Sequence, residues 1–121
     1  MTQQKGGYVD GFVLVVPKKN LKAYEKMAKA GAKLWRKHGA LDYRECVGED
    51  MKVSFGLPFP KLVKLKPGEV PLFSFIAYKS RAHRDQVNKR VMSDMSMSEF
   101  KDKPMPFDMK RMAYGGFKVL V

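Results

Sequence analysis

Val13, Leu14, Val15 and Val16 form an unbroken apolar block in the first strand-forming stretch of the chain, and Phe73, Phe75, Ile76 and Ala77 repeat the pattern in a later one. Successive side chains of a strand point to opposite faces. A sheet with one face in water therefore alternates apolar and polar residues, whereas these stretches demand cover on both faces.

The remaining pattern limits what that cover is. The first strand, "YVDGFVLVV", ends at Pro17, whose fixed φ and missing N–H suit a strand end. Asn20 stands where an N-cap is expected. Leu21, Tyr24, Met27, Ala28, Leu34, Trp35 and His38 then recur at three- and four-residue spacing, which predicts an amphipathic helix. Arg36, Lys37 and His38 fall in its last turn, where the helix dipole favours cations, and Gly39 provides the left-handed residue that ends it. "ALDYRECVG" is a short second strand. Residues 49–71 exceed an ordinary connection and predict a looped arm containing a strand extension or a hairpin. "LFSFIAYK" is the third strand, and Ser80 is placed to cap a helix over 81–95 with His83, Val87 and Val91 on one face. A turn around "SMSEF" and the Pro104 and Pro106 pair lead into the last strand, "AYGGFKVLV".

This order predicts an α+β fold: one ferredoxin-like βαββαβ domain over residues 1–121, its antiparallel sheet carrying both helices on one face. The second face then needs a cover the chain does not contain. The same sheet of a second copy would provide it, giving a homodimer and a dimeric α+β barrel.

Charge and cysteine content bear on partners. Twenty-four Lys and Arg against 12 Asp and Glu give a formal charge of +12, which attracts anions at low salt. Asp10 interrupts the only apolar run near the N-terminus, and no run is long enough to span a bilayer, so neither a secretory signal nor a membrane partner is expected. Cys46 stands alone, which excludes an internal disulfide and a cysteine-based metal cluster. Cytoplasm is the expected location, and no cofactor or metal is expected.

Two carboxylates, Asp10 and Glu45, lie in strands among apolar neighbours. One facing the barrel would be a general base with its pKa raised by desolvation; otherwise they reach water near strand ends or pair with Arg44 or Lys110. Asp108, Lys110 and Arg111, with Tyr114, could hold an anionic or carbonyl-bearing ligand at the barrel mouth; the structural alternative is that Asp108 stabilises its own turn. Gly11, Gly115 and Gly116 mark either a pocket floor or a bulge and bend in neighbouring strands. His38 and His83 lack partners at metal-ligand spacing, and Cys46 reads as a small strand hydrophobe. Six of the nine methionines fall between Met92 and Met112, a distribution typical of gap-filling in a core or dimer seam. Lys22, Lys26, Lys29, Lys33 and Arg36 form a continuous basic stripe on the first helix. It is either a solvated face or a phosphate track, and the absence of aromatic residues from it argues against single-strand recognition.

"YVDGF", "GALDYREC", "RDQVN", "MSD" and above all "MPFDMKRMAYGGF" together resemble the YbaA-like family of uncharacterised bacterial proteins, a domain of unknown function in the dimeric α+β barrel superfamily. The resemblance spans nearly the whole chain. It implies a ferredoxin-like protomer and a homodimer, and it brings no established activity or catalytic residues. Across the wider superfamily lie cofactor-independent monooxygenases, isomerases, haem-handling proteins and ligand-binding regulators, so the fold alone does not name a reaction. The function expected is small-molecule binding or cofactor-independent catalysis in a barrel pocket. Asp10 or Glu45 would move a proton and Lys110 or Arg111 would polarise a carbonyl. The alternative is anion or nucleic-acid binding on the basic helix face.

Overall fold

A computed structural model of the protein describes residues 7–95 and 104–121; the turn expected around 96–100 lies outside them. Strand β1 (Tyr8–Pro17) leads through a short 3₁₀ turn into α1 (Leu21–Lys37), β2 (Asp42–Val47), a one-turn α2 (Phe59–Leu62), β3 (Glu69–Tyr78), α3 (Arg81–Met95) and β4 (Ala113–Lys118). The strands form one antiparallel sheet in the order β2-β3-β1-β4, which is the ferredoxin-like arrangement. Helix α3 spans the expected residues. Ser80 Oγ accepts from the His83 N–H at 3.1 Å, and His83 Nδ1 accepts from the Lys79 N–H at 3.0 Å, so two orphan donors at this helix start are satisfied reciprocally. Gly39, at φ +113°, ends α1 as expected.

One local expectation needs correction. Asn20 occupies the N-cap position of α1, but its side chain makes no capping bond and instead donates to the Pro106 carbonyl at 3.0 Å. Of the two forms expected for the arm, the strand extension is present and the hairpin is not: after the single turn of α2, β3 begins early, at Glu69, and pairs with the end of β1.

Even-numbered residues of β1 and β3 face the helices. Leu14, Val16 and Leu72 pack with Tyr24 and Ala28 of α1, and Ile76 and Tyr78 pack with Val87 and Val91 of α3. Leu14, Val15, Val16, Val87 and Val91 are fully buried, each contributing about 1.5–3 kcal/mol relative to exposure. Trp35 Nε1 and the Tyr78 hydroxyl both donate to Asn88 Oδ1, at 3.2 and 3.3 Å, tying α1 and β3 to α3.

The odd-numbered face carries no helix among the described residues. Val15 and Pro71 are buried at one end, where the arm begins: the Gly48 N–H donates to the Pro71 carbonyl at 2.8 Å, and a Cβ on Gly48 would fall 2.8 Å from Pro71 Cγ. Elsewhere the same face presents Phe73 and Phe117, 47% and 63% exposed, with Val9, Val13, Phe75 and Ala77 in register beside them. The apolar residues of β1 and β3 are therefore covered on one side and, among the described residues, largely open on the other.

Candidate functional site

A cavity of about 770 Å³ lies on the helix-bearing side of the sheet, between α1, the middle of β1, β2 and β3, and the segment around Pro106. Its walls are apolar and aromatic, with Phe12, Met27, Leu34, Trp35, Ile76 and Phe107 among them. The Asn20 bond to Pro106 holds the 104–107 segment against the start of α1. Phe107 then meets the Tyr24 ring edge-on at 5.6 Å and closes that end.

The polar floor comes from one face of β2 and β3. Tyr43 and Glu45 stand two residues apart and so project on the same side, and Glu45 is directly opposite Ser74. Tyr24 donates its hydroxyl to Glu45 Oε1 at 2.7 Å and Tyr43 donates to Oε2 at 2.9 Å. Burial, reinforced by the Glu45 charge, holds both phenols well above the ordinary tyrosine range, so both remain donors. An ionised carboxylate has about four acceptor sites; Glu45 therefore keeps capacity for a ligand N–H or O–H. The Ser74 residue is 5% exposed and lines the cavity, and its hydroxyl makes no hydrogen bond among the described residues. Gly31 explains the fit: a Cβ there would lie 2.8 Å from the Tyr43 hydroxyl, so a mid-helix glycine that costs about 1 kcal/mol relative to alanine makes room for the phenol.

The two sequence-named carboxylates have different surroundings. Glu45 is in the cavity. Asp10 also faces the helices but pairs with Arg84 of α3, Oδ1 to Nη1 at 2.7 Å, and does not line the cavity; neither Arg44 nor Lys110 is its partner. Burial raises the Asp10 carboxyl above its ordinary range against the opposing pull of Arg84. Around the last strand, Asp108 accepts from the Lys110 N–H at 2.9 Å, which stabilises its own turn. The Arg111 guanidinium grips both Glu69 oxygens and the carbonyls of Val63 and Lys64, so it anchors the arm. Tyr114 is exposed and stacks on Phe12 with centroids 5.5 Å apart. Asp108, Lys110, Arg111 and Tyr114 do not converge on the cavity.

Arg111→Ala is expected to free the arm. The Arg111 hydrogen bonds hold the Glu69 carboxyl below its ordinary range, so the stability they contribute is present at neutral pH and is lost as pH falls through that lowered value. Limited trypsin digestion at neutral pH should cut the variant faster at Lys61 or Lys64; an unchanged cleavage rate would show that the arm is held by other contacts.

Register across β1 and β4 is unbroken from Tyr8–Lys118 to Val13–Ala113, so the glycine pair marks no bulge. Gly11 and Gly115 are direct partners on the uncovered face, whereas Gly116 lies under the Tyr8 ring, whose hydroxyl would be 2.3 Å from an added Cβ. These glycines do not floor the cavity. His38 binds Asp94 at 2.7 Å, His83 serves the start of α3, and Cys46 is exposed on the open face. Met92, Met105 and Met109 are about half exposed, while Met112 lines the cavity. Met97 lies outside the described residues. The basic stripe is exposed but divided: Lys29 pairs with Glu25 at 3.6 Å, Arg36 is occupied by Asp42 and the Tyr43 carbonyl, and Lys26 and Lys33 stand beside the cavity.

Tyr43 and Ser74 escaped the sequence reading, and Tyr24 and Trp35 entered it only as an apolar face. The signal for Tyr43 was present: an aromatic and a carboxylate at two-residue spacing in a strand share a face. No comparable signal marks Ser74, whose role depends on pairing with a distant strand. No helix among the described residues is long and apolar enough to cross a membrane.

The chain matches the family described as protein of unknown function DUF1428 over residues 7–109. It is 43% identical over 114 residues to the uncharacterised protein YbaA of Escherichia coli K12, covering 94% of this chain and 97% of that protein, and equally similar to YbaA of Shigella flexneri. Among solved structures, a dimeric ferredoxin-like protein from an uncultured marine organism superposes with a TM-score of 0.54 at 14% identity, covering 95% of this chain and 97% of the other. That likeness agrees with the strand order, and the family match together with the extent of YbaA identity shows that the chain belongs to the DUF1428 family.

Proposed function

We propose that the protein binds a small organic molecule in the cavity beside α1, with a hydroxyl or amino group of the ligand donating to Glu45 and an apolar or aromatic body against Trp35 and Phe107. The observation that carries this reading is a carboxylate with spare acceptor sites next to a serine hydroxyl that makes no hydrogen bond among the described residues, at the floor of an otherwise apolar cleft. Its volume falls within the ordinary ligand range of about 300–1,000 Å³. In the catalytic form of the proposal Glu45 receives the ligand proton without a cofactor. The Asp10–Arg84 pair and the arm-bound Arg111 favour structural work for those groups.

Trp35 is the single tryptophan and lines the cavity, so its emission reports occupancy. Titration with 4-propylphenol should quench or shift that emission saturably. Its methyl ether should bind about tenfold more weakly, because it leaves the Glu45 acceptor unpaired. Glu45→Gln should narrow the difference. No saturable response to the phenol, or equal binding of phenol and ether, would overturn the reading.

The same proposal places two copies of the chain in a dimer, packed through the faces that carry Phe73 and Phe117. A closed barrel would give these strands their second cover, and the ferredoxin-like neighbour is itself described as dimeric.

A further inference from the structure

The rim of the cavity differs in sign from its floor. Lys26, Lys33 and Lys37 of α1 line the opening, whereas Glu45 lies inside. Lys37 is paired with Asp94 at 3.2 Å. Lys26 and Lys33 form no ion pair among the described residues, and their seven-residue spacing sets them about 10 Å apart along the helix. Two free cations therefore stand over an apolar cleft whose deep end is a carboxylate.

We infer that the ligand is an amphiphilic anion: an acid group held at the rim by Lys26 and Lys33, an apolar or aromatic body in the cleft, and a hydroxyl or amino donor at Glu45. This rests on the cavity reading above and adds a substrate class and an orientation. The reversed pose is excluded by charge, since an acid group at the floor would face Glu45 with its oxygens held 2.7 and 2.9 Å from two phenols. A neutral ligand would leave the rim cations unused. A cation would meet them at the entrance, and the net charge of +12 would repel it from the start.

The test compares 4-(4-hydroxyphenyl)butanoic acid with its methyl ester by Trp35 fluorescence, with 4-propylphenol as the neutral control. At low salt the acid should bind about fivefold to tenfold more tightly than the ester, the range expected of partly exposed ion pairs. The advantage should shrink at high salt, as screening requires. In a Lys26→Gln/Lys33→Gln variant it should vanish while 4-propylphenol binds as before. If 4-propylphenol binds but the acid gains nothing over the ester, the anion inference fails and the cavity reading survives. An advantage that persists in the double variant also overturns the inference, because other groups then read the acid. If none of the three binds, both fail.

Discussion

Arg84→Met should lower the stability of the protein at neutral pH by about 2–3 kcal/mol, a fall of roughly 8 °C in melting temperature for a domain of this size. Asp10 is 6% exposed, in the middle strand pair of the sheet, and Arg84 is its one salt-bridge partner among the described residues. Methionine keeps an unbranched stem over the Tyr8 ring, where the guanidinium now lies 5.0 Å from the centroid, so the change removes charge more than packing. The effect falls below the largest costs of breaking buried pairs because the Arg84 side chain retains 18% exposure. The pH dependence has a definite sign. Burial already raises the folded-state pKa of Asp10, so the folded state takes up this proton before the unfolded state does, and ionised Asp10 weighs against folding at neutral pH. Without Arg84 that shift grows. The gap between variant and parent should therefore narrow as the pH is lowered through the range where the buried carboxyl protonates. Urea unfolding at neutral and at mildly acidic pH would read this, and Asp10→Asn combined with Arg84→Met should recover most of the loss. A gap independent of pH would mean that the cost is one of packing.

The fold was legible because its signals are local. Ser80 capping α3 and Gly39 ending α1 are short-range chemistry, and the βαββαβ order follows from the periodicity of each segment in turn. The site was legible only in part. Glu45 could be singled out as a carboxylate among apolar neighbours, but so could Asp10, and the two differ by a partner 74 residues away that no local pattern announces. Arg111 read as a ligand-binding cation because guanidinium chemistry is the same for a carboxylate in the chain and one in a ligand; the difference is Glu69, brought beside it by the early start of β3. Nothing local marks Gly31, because a single glycine does not break a helix this long. Its cost becomes intelligible only once the Tyr43 phenol is seen against it.

Phe73→Asp is expected to convert the proposed homodimer into a folded monomer, raising the dissociation constant more than about a hundredfold. Phe73 lies on β3, inside the sheet, on the face without helices, and is 47% exposed in the isolated chain; its ring is 6.3 Å from that of Phe75. A twofold dimer would carry each substitution twice, so association would have to desolvate two carboxylates against apolar groups, at several kcal/mol unless they paired. The protomer itself should tolerate the change because the side chain is already half in solvent. Phe117→Asp, on edge strand β4 and 63% exposed, provides a second variant should the first perturb the sheet. Light scattering after size-exclusion at micromolar concentration should give a dimer for the parent and a monomer for either variant, with circular dichroism unchanged. Binding of 4-propylphenol should survive, since the cavity lies on the opposite face. A monomeric parent, or variants that remain fully dimeric, would refute pairing through this face, and the exposed phenylalanines would then require a different cover.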